Sequence, residues 1–132
     1  MRTTDDVFHL AIPALDLDAA EQFYVKVLGC KLARRYADRI TLDFFGDQLV
    51  CHLSDRIDHD PAMYPRHFGI TFRRRDDFDA VLRLARVREA TFFAAPSQRF
   101  EGMIEEHSTF VLQDPSNNLI EFKHYVDHRM MY

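Results

Sequence analysis

Cysteine is scarce in this 132-residue chain: Cys30 and Cys51 are the only two, and they form no CxxC pair. They give no disulfide framework and read as reduced, buried thiols in a cytoplasmic protein. Tryptophan is absent, yet aromatic residues make up 13% of the chain, so apolar surface is ample. Basic excess is also missing. The formal net charge is −4, whereas a nucleic-acid partner requires a basic face, so none is expected. The run Arg73-Arg74-Arg75 is followed at once by Asp76 and Asp77 and reads as a solvated strand end. No apolar run approaches the length of a membrane span. The opening "MRTTDDVFHL" has no long apolar stretch with a small-residue cleavage site, so no secretory signal is expected.

What is present is a pair of matching strand starts. "VFHLAIPA" (residues 7–14) and "PRHFGITF" (65–72) each place a histidine at the head of an apolar run. The length favours a single domain over 1–132. Within it the order strand, helix, three strands is expected twice, with module one over about 6–54, a connector over about 55–65 and module two over about 66–126. Asp16 or Asp18 is expected to cap the first helix, Gly29 to end it, and Gly46-Asp47 to mark a hairpin. Further strands are expected near 31–36, 40–45 and 48–53. The second module predicts a strand at 66–72 and a helix over 76–88 capped by Asp76 or Asp77. Strands near 91–95, 106–113 and 118–125 follow, with a loop over about 96–105. The fold class is α+β. A unit this small closes no core alone, so the two sheets are expected to pack together.

Alternation sends Phe8, Leu10 and Ile12, and likewise Phe68, Ile70 and Phe72, toward the helices. His9 and Ala11 then take the opposite, concave face with His67, Gly69 and Thr71. In "NNLIEFKHY", Ile120 and Phe122 face the helices and Glu121 the concave side. A lone carboxylate between two apolar neighbours is costly unless paired or metal-bound. Two imidazoles and one carboxylate converging on one face suit a divalent metal with open positions.

At this point the chain resembles the vicinal oxygen chelate superfamily: glyoxalases, extradiol dioxygenases, fosfomycin-resistance transferases and epimerases. The resemblance is carried by "FHLAIPALDLDAAEQFYVKVLGCKL", "RHFGITF" and "DPSNNLIEF" and spans nearly the whole chain. It implies two βαβββ modules forming a cupped mixed sheet around a metal site, with ligands His9, His67 and Glu121 from the first, fifth and eighth strands. The implied metal is Fe(II) foremost, with Mn(II), Ni(II), Co(II) or Zn(II) as others. Aligning "QLVCHL" with "NLIEFK" sets Cys51 opposite Glu121, where glyoxalases I carry a carboxylate. A cysteine in an apolar strand reads as a small hydrophobe, so that ligand position is taken as empty.

The resemblance also implies chelation of two adjacent oxygens of a small organic substrate, foremost by an Fe(II) ring-cleaving dioxygenase reaction. The alternatives are a glyoxalase-type isomerase or lyase, and a metal-free ligand- or drug-binding module of the bleomycin-resistance kind. His52 is the candidate for proton transfer, although alternation from Cys51 turns it toward the helices. His107, near the start of the seventh strand, is expected at the cavity mouth. Arg99, in the loop "APSQRFEGMIEE" with Phe100, is expected to hold a substrate carboxylate or phosphate. Ring-cleaving relatives have a tyrosine and a glycine where this chain has Val111 and Asn117. Stand-alone two-module members commonly pair, which implies a homodimer.

Overall fold

The computed structural model describes residues 1–132, and the chain divides into two compact units. The first comprises Met1–His59 with Pro115–Asn118, the second Asp60–Asp114 with Leu119–Tyr132.

In the first unit, β1 (His9–Ala14) leads into helix α1 (Leu17–Glu21), and β2 (Lys31–Arg35), β3 (Arg39–Phe44) and β4 (Asp47–Leu53) follow. The strands are ordered β1-β4-β3-β2, with β1 parallel to β4 and the other pairs antiparallel. Asp16 is the cap of α1, its carboxylate accepting from the backbone N–H groups of Asp18 and Ala19. The apolar spacing predicts a regular helix here, and the structure departs from it. Residues Gln22–Val27 are π-helical, and the Leu28 N–H reaches the Phe23 carbonyl at 3.0 Å. The widened turn lets the adjacent Phe23 and Tyr24 both lie buried, their rings edge to face with centroids 4.9 Å apart. Ile12, Ile40, Leu42, Leu49 and Cys51 complete this core. Full burial of such a side chain stabilises by about 1.5–3 kcal/mol. Phe8 does not join them; it precedes β1 and is exposed. The hairpin between β3 and β4 turns through Phe45 and Gly46, both at positive φ (54 and 96°), and pairs Phe44 with Asp47. Its twist matches that of the flanking strands.

In the second unit, β5 (Phe68–Thr71) is followed by helix α2 (Arg75–Val87), then β6 (Phe92–Arg99), β7 (His107–Gln113), β8 (Leu119–Tyr125) and a 3₁₀ turn at His128–Met131. The order β5-β8-β7-β6 repeats that of the first sheet, again with the first strand parallel to the last. Asp76 and Asp77 do not cap α2. Arg74 holds the cap position without a side-chain bond, and the two acids occupy the first turn, where the helix dipole favours negative charge. Phe78, Val81 and Ala85 form the buried face of α2, and the Phe78 ring meets Phe110 at 5.3 Å. Strand β6 runs on to Arg99, so the expected loop over 96–105 begins only after it. Each unit is therefore a βαβββ module of an α+β fold. No helix is long and apolar enough to cross a membrane.

Candidate functional site

The second unit places His67 immediately before β5 and Glu121 on β8. Register pairs Gly69 with Glu121 and Phe68 with Ile120. Ile120 and Phe122 are fully buried on the helix side, so Glu121 takes the other face. Gly69 is required there, since an added Cβ would collide with the Glu121 carbonyl. The Glu121 carboxylate is held from both sides. The Thr109 hydroxyl donates to Oε1 at 2.8 Å, and His67 Nε2 lies 3.0 Å from Oε2. The Lys123 ammonium stands 4.0 Å from Oε2.

The proton on His67 follows from its other neighbour. Nδ1 lies 2.6 Å from the Met63 carbonyl, which can only accept, so Nδ1 carries the hydrogen. In the neutral ring Nε2 then presents a lone pair toward an anionic carboxylate. That contact is repulsive until a proton or a cation joins it. A histidine whose second nitrogen donates to a carbonyl, beside a carboxylate steadied by a hydroxyl, could supply two donors to a divalent metal. The residues present fit such an ion.

The first unit repeats half of this pattern. His9 opens β1, is exposed, and its Nδ1 lies 2.6 Å from Gln48 Oε1, its partner across the ladder. With the amide oxygen accepting, Nε2 is again the free lone pair. No group of three or more His, Cys, Asp and Glu side chains stands close enough together to hold a metal by itself. The structure thus joins His67 to Glu121, while His9 lies in the other unit.

Register corrects the assignment of the fourth strand. Ala11 pairs with Val50 as Gly69 pairs with Glu121, so Val50 occupies the position equivalent to Glu121. Cys51 pairs with Ile12 and Ile40 and is fully buried on the helix side. The position equivalent to Glu121 is held by a valine and not by Cys51. The same one-residue slip reverses His52. It pairs with Pro13 and Arg39, is exposed, and shares the face of His9 without any bulge in β4. Neither thiol is in a disulfide and both are buried, and burial, with a smaller contribution from Asp43, pushes the Cys30 thiol up to about 12.

His107 and Arg99 are neighbours across the β6–β7 ladder. His107 is not at a mouth: it is buried, with Nδ1 2.9 Å from the Glu105 carbonyl and its ring 4.7 Å from that of Tyr125. Arg99 ends β6, exposed, its guanidinium 5.5 Å from the Phe100 ring centre. Neither touches His67 or Glu121. Sequence reading missed Thr109 and Gln48. Both sit on the candidate face of their sheets, and only register could have found them. Asn117 adopts φ 63°, in the left-handed region that favours glycine and tolerates asparagine.

A model of the Glyoxalase/Bleomycin resistance protein/Dioxygenase superfamily matches residues 6–122. Among solved structures, a glyoxalase/bleomycin resistance protein/dioxygenase from Alicyclobacillus acidocaldarius is 69% identical, with a TM-score of 0.96 over 100% of both chains. The fosfomycin resistance protein FosX from Listeria monocytogenes is 11% identical, with a TM-score of 0.74 over 99% of this chain and 100% of its own. Lactoylglutathione lyase from Agrobacterium tumefaciens is 20% identical, with a TM-score of 0.67 over 90% of this chain and 92% of its own. At those identities the last two share the fold alone. No curated protein matches. With nearly the whole chain matched, the protein belongs to the glyoxalase/bleomycin resistance protein/dioxygenase superfamily.

Proposed function

We propose that this protein is a divalent-metal-dependent enzyme of the vicinal oxygen chelate kind, acting on a small organic substrate with two adjacent oxygens. The observation that carries the reading is the approach of His67 Nε2 to Glu121 Oε2, 3.0 Å apart, with His67 Nδ1 turned to the Met63 carbonyl. The proposed ligands are His67, Glu121 and His9, and the proposed metal is Fe(II), with Mn(II), Ni(II), Co(II) and Zn(II) as competitors. The metal supplies Lewis-acid stabilisation of developing negative charge. The chain orients the donors: Met63 fixes the tautomer of His67, Gln48 that of His9, and Thr109 the rotamer of Glu121. His52, exposed on the His9 face, is the proposed acceptor of a substrate hydroxyl proton.

Ring cleavage with O₂ as oxidant is the specific reaction proposed. One observation favours the alternative, a glyoxalase-type isomerase or lyase. Val111 pairs with Glu121 where ring-cleaving relatives offer a phenol, so one oxyanion donor is missing. The metal-free binding module would leave His67 and Glu121 a shared proton and the Lys123 ammonium in place of a metal. Anaerobic loading with Fe(II), then catechol-type substrates with and without O₂, separates the routes. Oxygen uptake with a yellow ring-fission product supports the first. Turnover indifferent to O₂ and sustained by Ni(II) or Co(II) supports the second. Protein that binds none of the five metals stoichiometrically overturns the reading.

A further inference from the structure

The first unit carries an open groove of about 230 Å³ on the His9 face of its sheet, with Val7, Arg34, Thr41, Asp43, Asp47 and Gln48 among its lining residues. We propose that this groove seats an anionic group of the substrate, a carboxylate or phosphonate, with Arg34 as its counter-ion. The inference rests on reading the His9 face as the reactive one, and it names the substrate class that this face would take.

The placement of Arg34 comes from a bulge. Register passes from Leu32 opposite Leu42 directly to Arg34 opposite Thr41, leaving Ala33 as the extra residue. Leu42 is buried on the helix side, so Arg34 joins Thr41, Val50 and Ala11 in one row across the opposite face. Its neighbour Arg35 points the other way and is consumed by α1, 2.6 Å from Asp18 and 3.4 Å from Glu21. Neither carboxylate of the groove pairs with Arg34. Asp47 holds Arg2 at 3.0 Å and the Phe8 N–H, and Asp43 accepts the Gly46 N–H of the hairpin. Arg34 has no such partner. The groove therefore offers a free planar fork, beside the Thr41 hydroxyl, to an incoming anion.

Distance then limits the ligand. Neighbouring strands lie about 4.8 Å apart, so β2 stands about 14 Å from β1 across the sheet. Gln48, one strand from His9 and two from Arg34, lines the groove and also holds His9. A substrate anchored at Arg34 and reacting near His9 is elongated, with the anion remote from the reacting oxygens. A three-carbon oxoaldehyde is too short.

The test uses phenylphosphonate and benzoate as probes of ¹⁵N-labelled protein, with EDTA present and again with Ni(II). Saturable shifts at the amides of residues 33–48 are expected in both conditions. Arg34→Gln should weaken binding at least tenfold, Arg34→Lys less, and Arg35→Gln not at all. His67→Ala should leave the EDTA titration unchanged, so loss of the metal reading alone would not abolish these shifts. Absence of saturable shifts at 33–48, or shifts indifferent to Arg34→Gln, overturns the anion site whether or not metal binds.

Discussion

On His67 a single hydrogen, held by the Met63 carbonyl, decides which nitrogen can act as a ligand. His67→Ala should remove stoichiometric metal while far-UV circular dichroism and the melting transition survive, because the lost ring faces away from the core. Thr109→Val, nearly isosteric, leaves Glu121 Oε1 without its donor. Metal affinity should fall about 10–100-fold, read by competition with a chelating dye. Unchanged affinity would reduce Thr109 to a packing residue. Cys30 makes a different prediction. Its thiol, ordinarily at 9.0, is held protonated to about 12 by burial. Above pH 9 the unfolded chain binds fewer protons than the folded one, so this contribution to stability is whole below pH 9 and is lost as pH rises toward 12. Urea unfolding across that window should weaken with pH, and Cys30→Ala should flatten the slope. Glu121 was legible in the sequence because a carboxylate between Ile120 and Phe122 demands a reason. Thr109 was not, because its bond to Glu121 joins diagonal neighbours on different strands. His52 was turned the wrong way by pairing Cys51, rather than Val50, with Glu121.

Most strands and turns of this chain follow from local chemistry. Gly46 marked the β3–β4 hairpin, and Asp16 is the cap of α1. The π-helical stretch was invisible, since periodicity assumes one residue spacing and the wider turn exists to bury Phe23 with Tyr24. The length of β6 was also hidden: "APSQR" carries a proline and polar residues, yet it pairs as far as Arg99–His107. Two glycines of this level should respond unequally. Gly46→Ala introduces strain at φ 96° with nothing nearby to strike, a loss of about 1 kcal/mol or more. Gly69→Ala drives a methyl into the Glu121 carbonyl and must part β5 from β8, so it should unfold at markedly lower denaturant and bind metal poorly. Equal midpoints for the two variants would contradict the close approach.

For the molecule as a whole, the repeated βαβββ order was readable from the two histidine-headed strands and the two helical patterns. Composition had no way to reveal how the chain apportions its segments, because that depends on contacts far apart in sequence. We propose a homodimer, as the resemblance implies. Sedimentation at micromolar concentration should show twice the mass of the 15.6 kDa chain, and a species of that mass alone would refute it. The apportioning of segments has a temporal consequence. The turn at Pro115–Asn118 belongs to the first unit: the Ser116 hydroxyl accepts the Leu15 N–H, Asn118 donates to the Pro13 carbonyl and Asn117 to that of Asp58. A ribosome adding about 5–20 residues per second makes β1 many seconds before its last partners. The first-made half of this protein thus waits for a segment near the far end of the chain, and a nascent chain stalled short of Asn118 holds an incomplete first unit however long it waits.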